Sequence, residues 1–351
     1  MKEFYSFNRR YCARNESCGT RSKGFERSMD VKMNCELYIQ NNGLVYEPVT
    51  KEGIEWSTER KGSPGKLTFK LFQDARLNIQ EGNAVQFKVD GQNVFYGYIF
   101  KKTFDKEGIV SITCYDQLRY FKNKDNYVYK HLTAGQLLQK ICDDFLLHTG
   151  VIEDTEYVIE KKSQLDKTLF DIVQSALDDT LMNIRKLFVL YDDFGRISLQ
   201  NIGSMKLPIL IDEETGQNFD YTSSIDAQTY NQIKLTYENK DTGKRDVYMV
   251  KDSEHINEWG ILQYHESLQD GGGGVSKAEA LLQLYNRKTR NLAIKDALGD
   301  VRVRAGTSPV IQLKLGDVVL NNFMVCDRVT HVFKNKEHTM DLNLLGGDFI
   351  A

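Results

Sequence analysis

The sequence predicts a mostly β fold with an α+β insertion, in which one three-stranded antiparallel unit occurs twice. Three observations predict it. Apolar and polar residues alternate, as in half-buried strands, over much of residues 34–116 and again from Val301 to Leu345. Between these stretches, residues 126–203 carry helix caps and a 3.6-residue apolar period. The pattern of the first meander then returns from Gly316 to Leu344.

Residues 1–32 carry Arg9, Arg10, Arg14, Arg21, Lys23 and Arg27 with little apolar periodicity. They are expected to form a basic, flexible arm, or an upstream extension ahead of a start at Met29 or Met33. A basic arm that docks on a neighbouring subunit is the alternative.

The first β unit is expected over residues 33–125. Cys35, Leu37 and Ile39 alternate with polar neighbours, and Asn41-Asn42-Gly43 turns the chain. Ile54–Ser57 and Lys66–Leu71 are further strands, separated by a Gly-Ser-Pro-Gly loop at 62–65. Val85, Phe87 and Val89 share one face of the next strand. Asp90-Gly91 then turns, because glycine accepts positive φ and aspartate tolerates it. An aromatic strand runs from Val94 to about Phe104. After a turn at Lys106, Glu107 and Gly108, Val110, Ile112 and Cys114 share a face. Six strands or so suffice for a small barrel or sandwich.

Residues 126–203 predict a small α+β module. Thr133-x-x-Gln136 is a capping box for a helix with Leu137, Leu138, Ile141, Cys142 and Phe145 on one face, and Gly150 is a plausible stop. Thr168-x-x-Asp171 opens a second helix. A hairpin then turns on Asp192-Asp193-Phe194-Gly195.

The last unit spans 204–351. Asn231–Glu238 and Arg245–Lys251 are expected to pair across Asp241-Thr242-Gly243, with a further strand at Trp259–Tyr264. Ser276-x-x-Glu279 predicts a helix over 276–290. The closing strands set Gly316-Asp317-Val318-Val319 beside Gly82-Asn83-Ala84-Val85. The turn at Asn321-Asn322 then matches Asp90-Gly91, and Met340, Leu342 and Leu344 match Val110, Ile112 and Cys114. A chain with two equivalent units builds a closed ring of 2n units from n subunits.

Composition narrows the function. The chain has 351 residues, 41% apolar and 27% charged, with net charge −3 from 46 basic and 49 acidic residues. This balance makes no electrostatic case for nucleic-acid binding. Six cysteines at 12, 18, 35, 114, 142 and 326 form no C-x-x-C pair, and Cys114 and Cys142 fall on apolar phases. No apolar run approaches the length of a membrane span.

Catalytic patterns are weak. Residues 60–67 resemble a phosphate loop, but Arg60 replaces the first glycine and Leu67 the metal-binding hydroxyl. Asp143-Asp144 and Asp178-Asp179 are adjacent on helices and share no face. His331 and His338 are the best metal candidates. A structural zinc needs more ligands, so a core or interface role is favoured. No catalytic, cofactor-binding or metal-binding residue is expected.

Several stretches carry a family resemblance. These are Cys35–Ile39, Gly53–Leu67, Val94–Ile99, Tyr115–Tyr120, Val301–Gly306, Thr330–Phe333 and His338–Met340. Over about residues 33–348 the chain resembles the XkdQ/YqbQ-like baseplate hub proteins of contractile phage tails and phage-tail-like bacteriocins. The resemblance implies two tail-tube-like antiparallel β-barrels, an α+β insertion domain and a linker helix. It implies a homotrimer whose six barrels join a sixfold tail tube to a threefold spike. Implied partners are the tube, the spike, wedge proteins and the tape measure protein, with assembly in the bacterial cytoplasm before release in the particle. The residues expected to shape the barrels are Asp90, Gly91, Gly97 and Tyr115 in the first, and Gly316, Asn321 and His331 in the second. The competing readings are a tail-associated cell-wall hydrolase and a glycan-binding module.

Overall fold

The protein is described by a computed structural model covering residues 33–345, apart from 73, 75–76, 217, 227, 239–242, 269–272 and 316–317. The expected basic arm and the expected turn residue Gly316 lie outside the described residues.

The first unit contains seven strands: β1 (Cys35–Asn41), β2 (Leu44–Tyr46), β3 (Thr50–Glu59), β4 (Lys66–Phe72), β5 (Ala84–Val89), β6 (Gln92–Phe104) and β7 (Ile109–Tyr115). Alternate residues of each strand point inward, and Leu37, Ile39, Trp56, Leu67, Phe69, Phe87, Ile99, Ile112 and Cys114 build one core. Burial of each large apolar side chain contributes about 1.5–3 kcal/mol.

The α+β module follows a short 3₁₀ turn, Gln117–Lys122. It contains β8 (Lys124–Thr133), α1 (Ala134–Asp144), β9 (Thr149–Ile152), β10 (Val158–Thr168), α2 (Leu169–Ile184), β11 (Phe188–Asp192) and β12 (Ile197–Asn201). The Thr133 hydroxyl accepts from Gln136 N at 3.3 Å, and the Gln136 side chain accepts from Thr133 N at 2.9 Å. The Thr168 hydroxyl caps α2 by accepting from Asp171 N at 3.1 Å, while it donates to the Asp171 carboxylate at 2.7 Å. Gly150 does not stop α1. The chain leaves the helix at Leu146, φ 54°, and Gly150 lies inside β9. Leu137, Leu138, Ile141 and Cys142 meet Leu169, Ile172 and Val173 in a separate core.

The last unit opens with β13 (Lys206–Ile211) and β14 (Asn218–Ser224). An insertion follows: β15 (Gln232–Glu238), β16 (Arg245–Lys251), α3 (Ser253–Trp259), β17 (Gln263–Leu268) and α4 (Gly274–Tyr285). It closes with β18 (Thr289–Leu298), β19 (Ser308–Leu315), β20 (Val318–Phe323), β21 (Val325–Lys334) and β22 (Glu337–Leu345).

Two expectations change here. The strand expected at Trp259–Tyr264 is the end of α3 and the start of β17; Asp252 caps α3 by accepting from Glu254 N at 2.8 Å. The helix expected over 276–290 runs Gly274–Tyr285 and is capped by Gly273 without a side-chain bond, so Ser276 is an interior residue. Residues 289–290 belong to β18 instead.

Eleven strands form one sheet in the order β14-β18-β22-β21-β3-β4-β7-β6-β5-β1-β2, and β13-β19-β20 form another. The two units repeat one arrangement. In the first, neighbours run β3-β4-β7-β6-β5-β1; in the last they run β14-β18-β22-β21/β20-β19-β13. Corresponding strands also occur in the same chain order. One polarity differs: β1 is antiparallel to β5, whereas β13 is parallel to β19.

The middle strand is bent in both units. β6 pairs with β5 through Tyr98 and with β7 from Tyr98 onward. Likewise β20 pairs with β19, and β21 with β22. The register slips at the same place, between Ile99 and Lys101 in one unit and between Cys326 and Arg328 in the other. Gly82 N donates to Ile99 O at 2.8 Å, and Ile99 N donates to Asn83 O at 3.0 Å. Gly306 N and Cys326 O, with Cys326 N and Thr307 O, repeat this at 2.8 and 2.9 Å. Gly82 and Gly306 both take positive φ, 85° and 93°.

The counterpart of Gly82 is therefore Gly306, and the alignment to Gly316 is corrected. The expected turn at Asn321-Asn322 is also absent. These residues are exposed positions in β20, opposite Gln312 and Ile311. Two consecutive polar residues within a strand imitate a turn signal.

Among the described residues, no ladder joins β3 to β1 or β14 to β13, so neither unit is closed into a continuous barrel. The last unit nevertheless encloses one core. Ile211, Ile311, Leu313 and Met324 face Leu292, Ile294, Val329, Leu342 and Leu344 across it.

Gly97 sits where β6 bends, and a Cβ there would lie 2.3 Å from Tyr115 O and 2.6 Å from the Phe95 ring. Gly97→Val is expected to lower unfolding free energy by about 2 kcal/mol or more, because β7 cannot move away without breaking its ladders. Gly91, φ 76°, has open space at the Cβ position; Gly91→Ala is expected to cost about 1 kcal/mol from backbone strain alone. Urea midpoints of the two variants check the order.

Candidate assembly interface

The two β units meet at one seam, the antiparallel pairing of β3 with β21. Ile54–Glu59 lie opposite Phe333–Arg328, with His331 opposite Trp56. The pairing forms because both strands present unpaired edges with matching apolar phases: Ile54, Trp56, Val329, His331 and Phe333 are all buried. Phe333 passes into the first unit's core and meets Phe87 edge-on, with centroids 5.0 Å apart.

His331 is fully buried in this seam. Its ring stacks on Trp56, 4.8 Å between centroids and 18° between planes. Its Nε2 lies 2.8 Å from Val303 O and its Nδ1 lies 2.8 Å from His338 Nε2. A carbonyl oxygen only accepts, so His331 Nε2 carries the proton. Nδ1 of the neutral ring then accepts from His338 Nε2–H. Burial is the main cause that pushes the His331 pKa down to about 3, with His338 adding to it. Burial likewise pushes His338 down to about 4, against the pull of Asp300 and Asp90. One end of the seam is ionic, and the other is the apolar pair Ile54 and Phe333. Arg60 Nη2 reaches Asp327 Oδ1 at 3.0 Å, Arg60 N donates to Asp327 O at 2.9 Å, and Arg328 meets Glu59 at 2.6 Å. Thr58, itself buried, accepts from Ala305 N at 2.9 Å.

A second polar node joins both units to the α+β module. Asp116 Oδ2 accepts from Gly65 N at 2.8 Å, and its Oδ1 accepts from Leu118 N at 3.0 Å. Asp192 accepts from Gly195 N at 2.6 Å and Gln117 N at 3.3 Å. Arg304 donates to Asp192 O at 2.9 Å, with its guanidinium 4.2 Å from the Tyr191 ring centroid. Burial raises the Asp116 carboxyl well above its ordinary range, helped by Asp192, and raises Asp192 to about 6. The Asp192-Asp193-Phe194-Gly195 turn is thus also an anchor, which its sequence as a turn did not disclose.

The described residues among those expected to shape the fold fall in four places. Asp90 (φ 49°) and Gly91 make the β5–β6 turn, and Asp90 Oδ1 accepts from Asn34 N at 2.8 Å. Gly97 and Tyr115 touch where β6 bends, and Tyr115 meets Phe100 edge-on at 5.6 Å. His331 is in the seam, and Asn321 lies away from it in β20. Sequence reasoning missed Trp56, Asp116, Asp192 and Arg304 as a group, because their partners are distant in the chain. Asp143 and Asp144 are exposed on α1. Among the described residues, no cluster of three or more His, Cys, Asp or Glu has the geometry of a metal site, and no helix is long and apolar enough to cross a membrane.

The model of the YQBQ-like family matches residues 54–345. The chain is 29% identical over 314 residues to the phage-like element PBSX protein XkdQ of Bacillus subtilis (strain 168), covering 86% of this chain and 93% of that protein. Its fold matches the 43 kDa tail protein of prophage MuSo2 from Shewanella oneidensis, with TM-score 0.68 and 13% identity over 90% of this chain and 100% of that one. It also matches the E. coli c3393 protein, described as a component of the type VI secretion system with structural similarity to T4 bacteriophage tail proteins gp27 and gp5. There the TM-score is 0.56 and identity 11%, over 90% of this chain and 78% of that one. The mostly β fold with a few helices is thus that of tail proteins.

The seam histidines make a pH prediction. Their folded pKa values lie below the unfolded value of about 6.5, so they contribute stability that is complete above that pH. It is lost as pH falls from about 6.5 towards 4 and below. Asp192 has the opposite sign, since its raised carboxyl favours the fold below about pH 4 and that contribution is lost as pH rises through 6. NMR titration of the imidazoles is expected to show His331 and His338 still neutral at pH 5; protonation of both at that pH contradicts the wiring.

Proposed function

The chain belongs to the YQBQ-like family, and on that premise we propose that it is the structural hub of a contractile-tail baseplate. In this reading it is a homotrimer whose six β units form a ring between a sixfold tail tube and a threefold spike. The observation that carries the reading is the repeated strand order of the two units, joined edge to edge in one sheet. A chain offering two similar units gives three chains six similar faces, which meets the tube's symmetry on one side and the spike's on the other.

Each β unit is read as a tail-tube-like barrel, over residues 33–125 and 204–351, with the α+β domain of 126–203 between them. The remaining partners in this reading are wedge proteins and the tape measure protein. The phage-like element named for the relative XkdQ supports a place in a tail particle, assembled in the bacterial cytoplasm. A non-catalytic role is supported by Asp116 and Asp192, whose oxygens are occupied by backbone N–H groups rather than facing a cleft.

Native mass spectrometry of the full chain, alone and with its spike partner, tests the reading. A three-chain species is expected in at least one of the two samples. A monomer or a twofold dimer in both would sink it.

A further inference from the structure

We infer that copies of this chain join edge to edge, through antiparallel pairing of β14 in one copy with the second half of β6 in the next. The inference rests on the ring reading above and names the surfaces that would make the ring.

The argument starts from the internal repeat. The shared bulge sets Ile99 against Cys326, and hence Lys101, Lys102, Thr103 and Phe104 against Arg328, Val329, Thr330 and His331. The neighbouring ladders carry the equivalence across each sheet. Leu67 and Leu292 lie opposite Cys114 and Leu344. Trp56 and Tyr221 then lie opposite Leu67 and Leu292. In this frame β3 corresponds to β14, and β21 to the second half of β6.

Within one chain, the β3 edge of the first unit is covered by the β21 edge of the last. Both equivalent edges remain open among the described residues. β14 pairs only with β18. Past Ile99, β6 pairs only with β7. Open edges of this kind are templates for pairing, and proteins usually blunt them. β14 is not blunted, and of the two lysines on the open half of β6, Lys102 is drawn back onto Ile79 O at 2.7 Å, which leaves Lys101. Phe104 is 59% exposed and Phe219 41% exposed, and β14 contains no lysine or proline.

Transfer of the seam's register to a pair of chains sets Lys101 opposite Ser224, Lys102 opposite Ser223, Thr103 opposite Thr222 and Phe104 opposite Tyr221. The last pair takes the place of His331 on Trp56, one aromatic stack for another. The pairing stops there, because β6 ends at Phe104. The Asp105 carboxylate is turned back onto Glu107 N and Ile109 N, each at 2.9 Å, and away from Asp220. The contact is head to tail, so each copy keeps one open edge until a ring closes.

Paired cysteines in the full chain test this. Thr103→Cys with Thr222→Cys, oxidised, is expected to give disulfide-linked species up to three chains and no larger, above the background of each single variant. Ser57→Cys with Thr330→Cys is the internal control, since the same register places those residues opposite each other inside one chain; it is expected to cross-link without any gain in mass. A native three-chain species that yields no 103–222 link, while the control links, overturns the edge pairing and leaves the ring reading standing. Absence of any oligomer overturns both. Phe104→Asp provides a second arm: loss of assembly with an unchanged unfolding midpoint is expected, and assembly at the wild-type level overturns the proposal.

Discussion

The pairing of β3 with β21 is the constraint on which the rest of the molecule depends. It turns two sheets into one of eleven strands and fixes the register between strands far apart in sequence. Because side chains alternate along a strand, a slip of one residue would drive Trp56 and Phe333 out of their cores and turn polar neighbours inward. His331 removes that freedom. Its two nitrogens are committed to Val303 and His338, and its face to Trp56. A buried imidazole with both nitrogens satisfied costs little, whereas one displaced from its partners leaves unpaired polar atoms in an apolar seam.

The repeat explains where the rest of the chain is placed. The α+β module lies between the two units in sequence, and the β15–α4 insertion occupies the connection between β14 and β18. The matching connection in the first unit, β3 to β4, is the short loop through Gly62 and Gly65, which Asp116 holds by its backbone. Insertions were accommodated at strand connections, where they leave the ladders intact. The bend of the middle strand is kept in both units by the same bulge and the same pair of backbone hydrogen bonds. Strong bends next to bulges let one strand serve two partners, and this is what gives each unit its curved, core-enclosing form.

Much of this was legible from the chain alone. The Gly82–Asp116 meander, the Thr133 and Thr168 caps and the burial of Cys114 and Cys142 each follow from local patterns, and local patterns suffice for local structure. The repeat was visible too, as was the match of Cys114 to Leu344, but the alignment of its first strand was not. Period-two alternation looks the same after any even shift, so Gly316 fitted as well as Gly306 until the bulge and the hydrogen bonds fixed the register. Asn321 and Asn322 deepened the error, because two consecutive polar residues inside β20 imitate a turn. α3 was missed because seven residues hold too few apolar positions to display a helical period. The seam and the Asp116–Asp192–Arg304 node had no local signal, since their partners are brought together only by the fold.

Hydrogen exchange at the seam tests the central claim most directly. If β3–β21 pairing unites the two units, the protected amides of Ile54–Glu59 and Arg328–Phe333 will exchange only through global unfolding, with the same denaturant dependence as the cores on either side. Exchange of these amides through a smaller opening, with each unit's own core still protected, would contradict it and leave two independent sheets that merely touch.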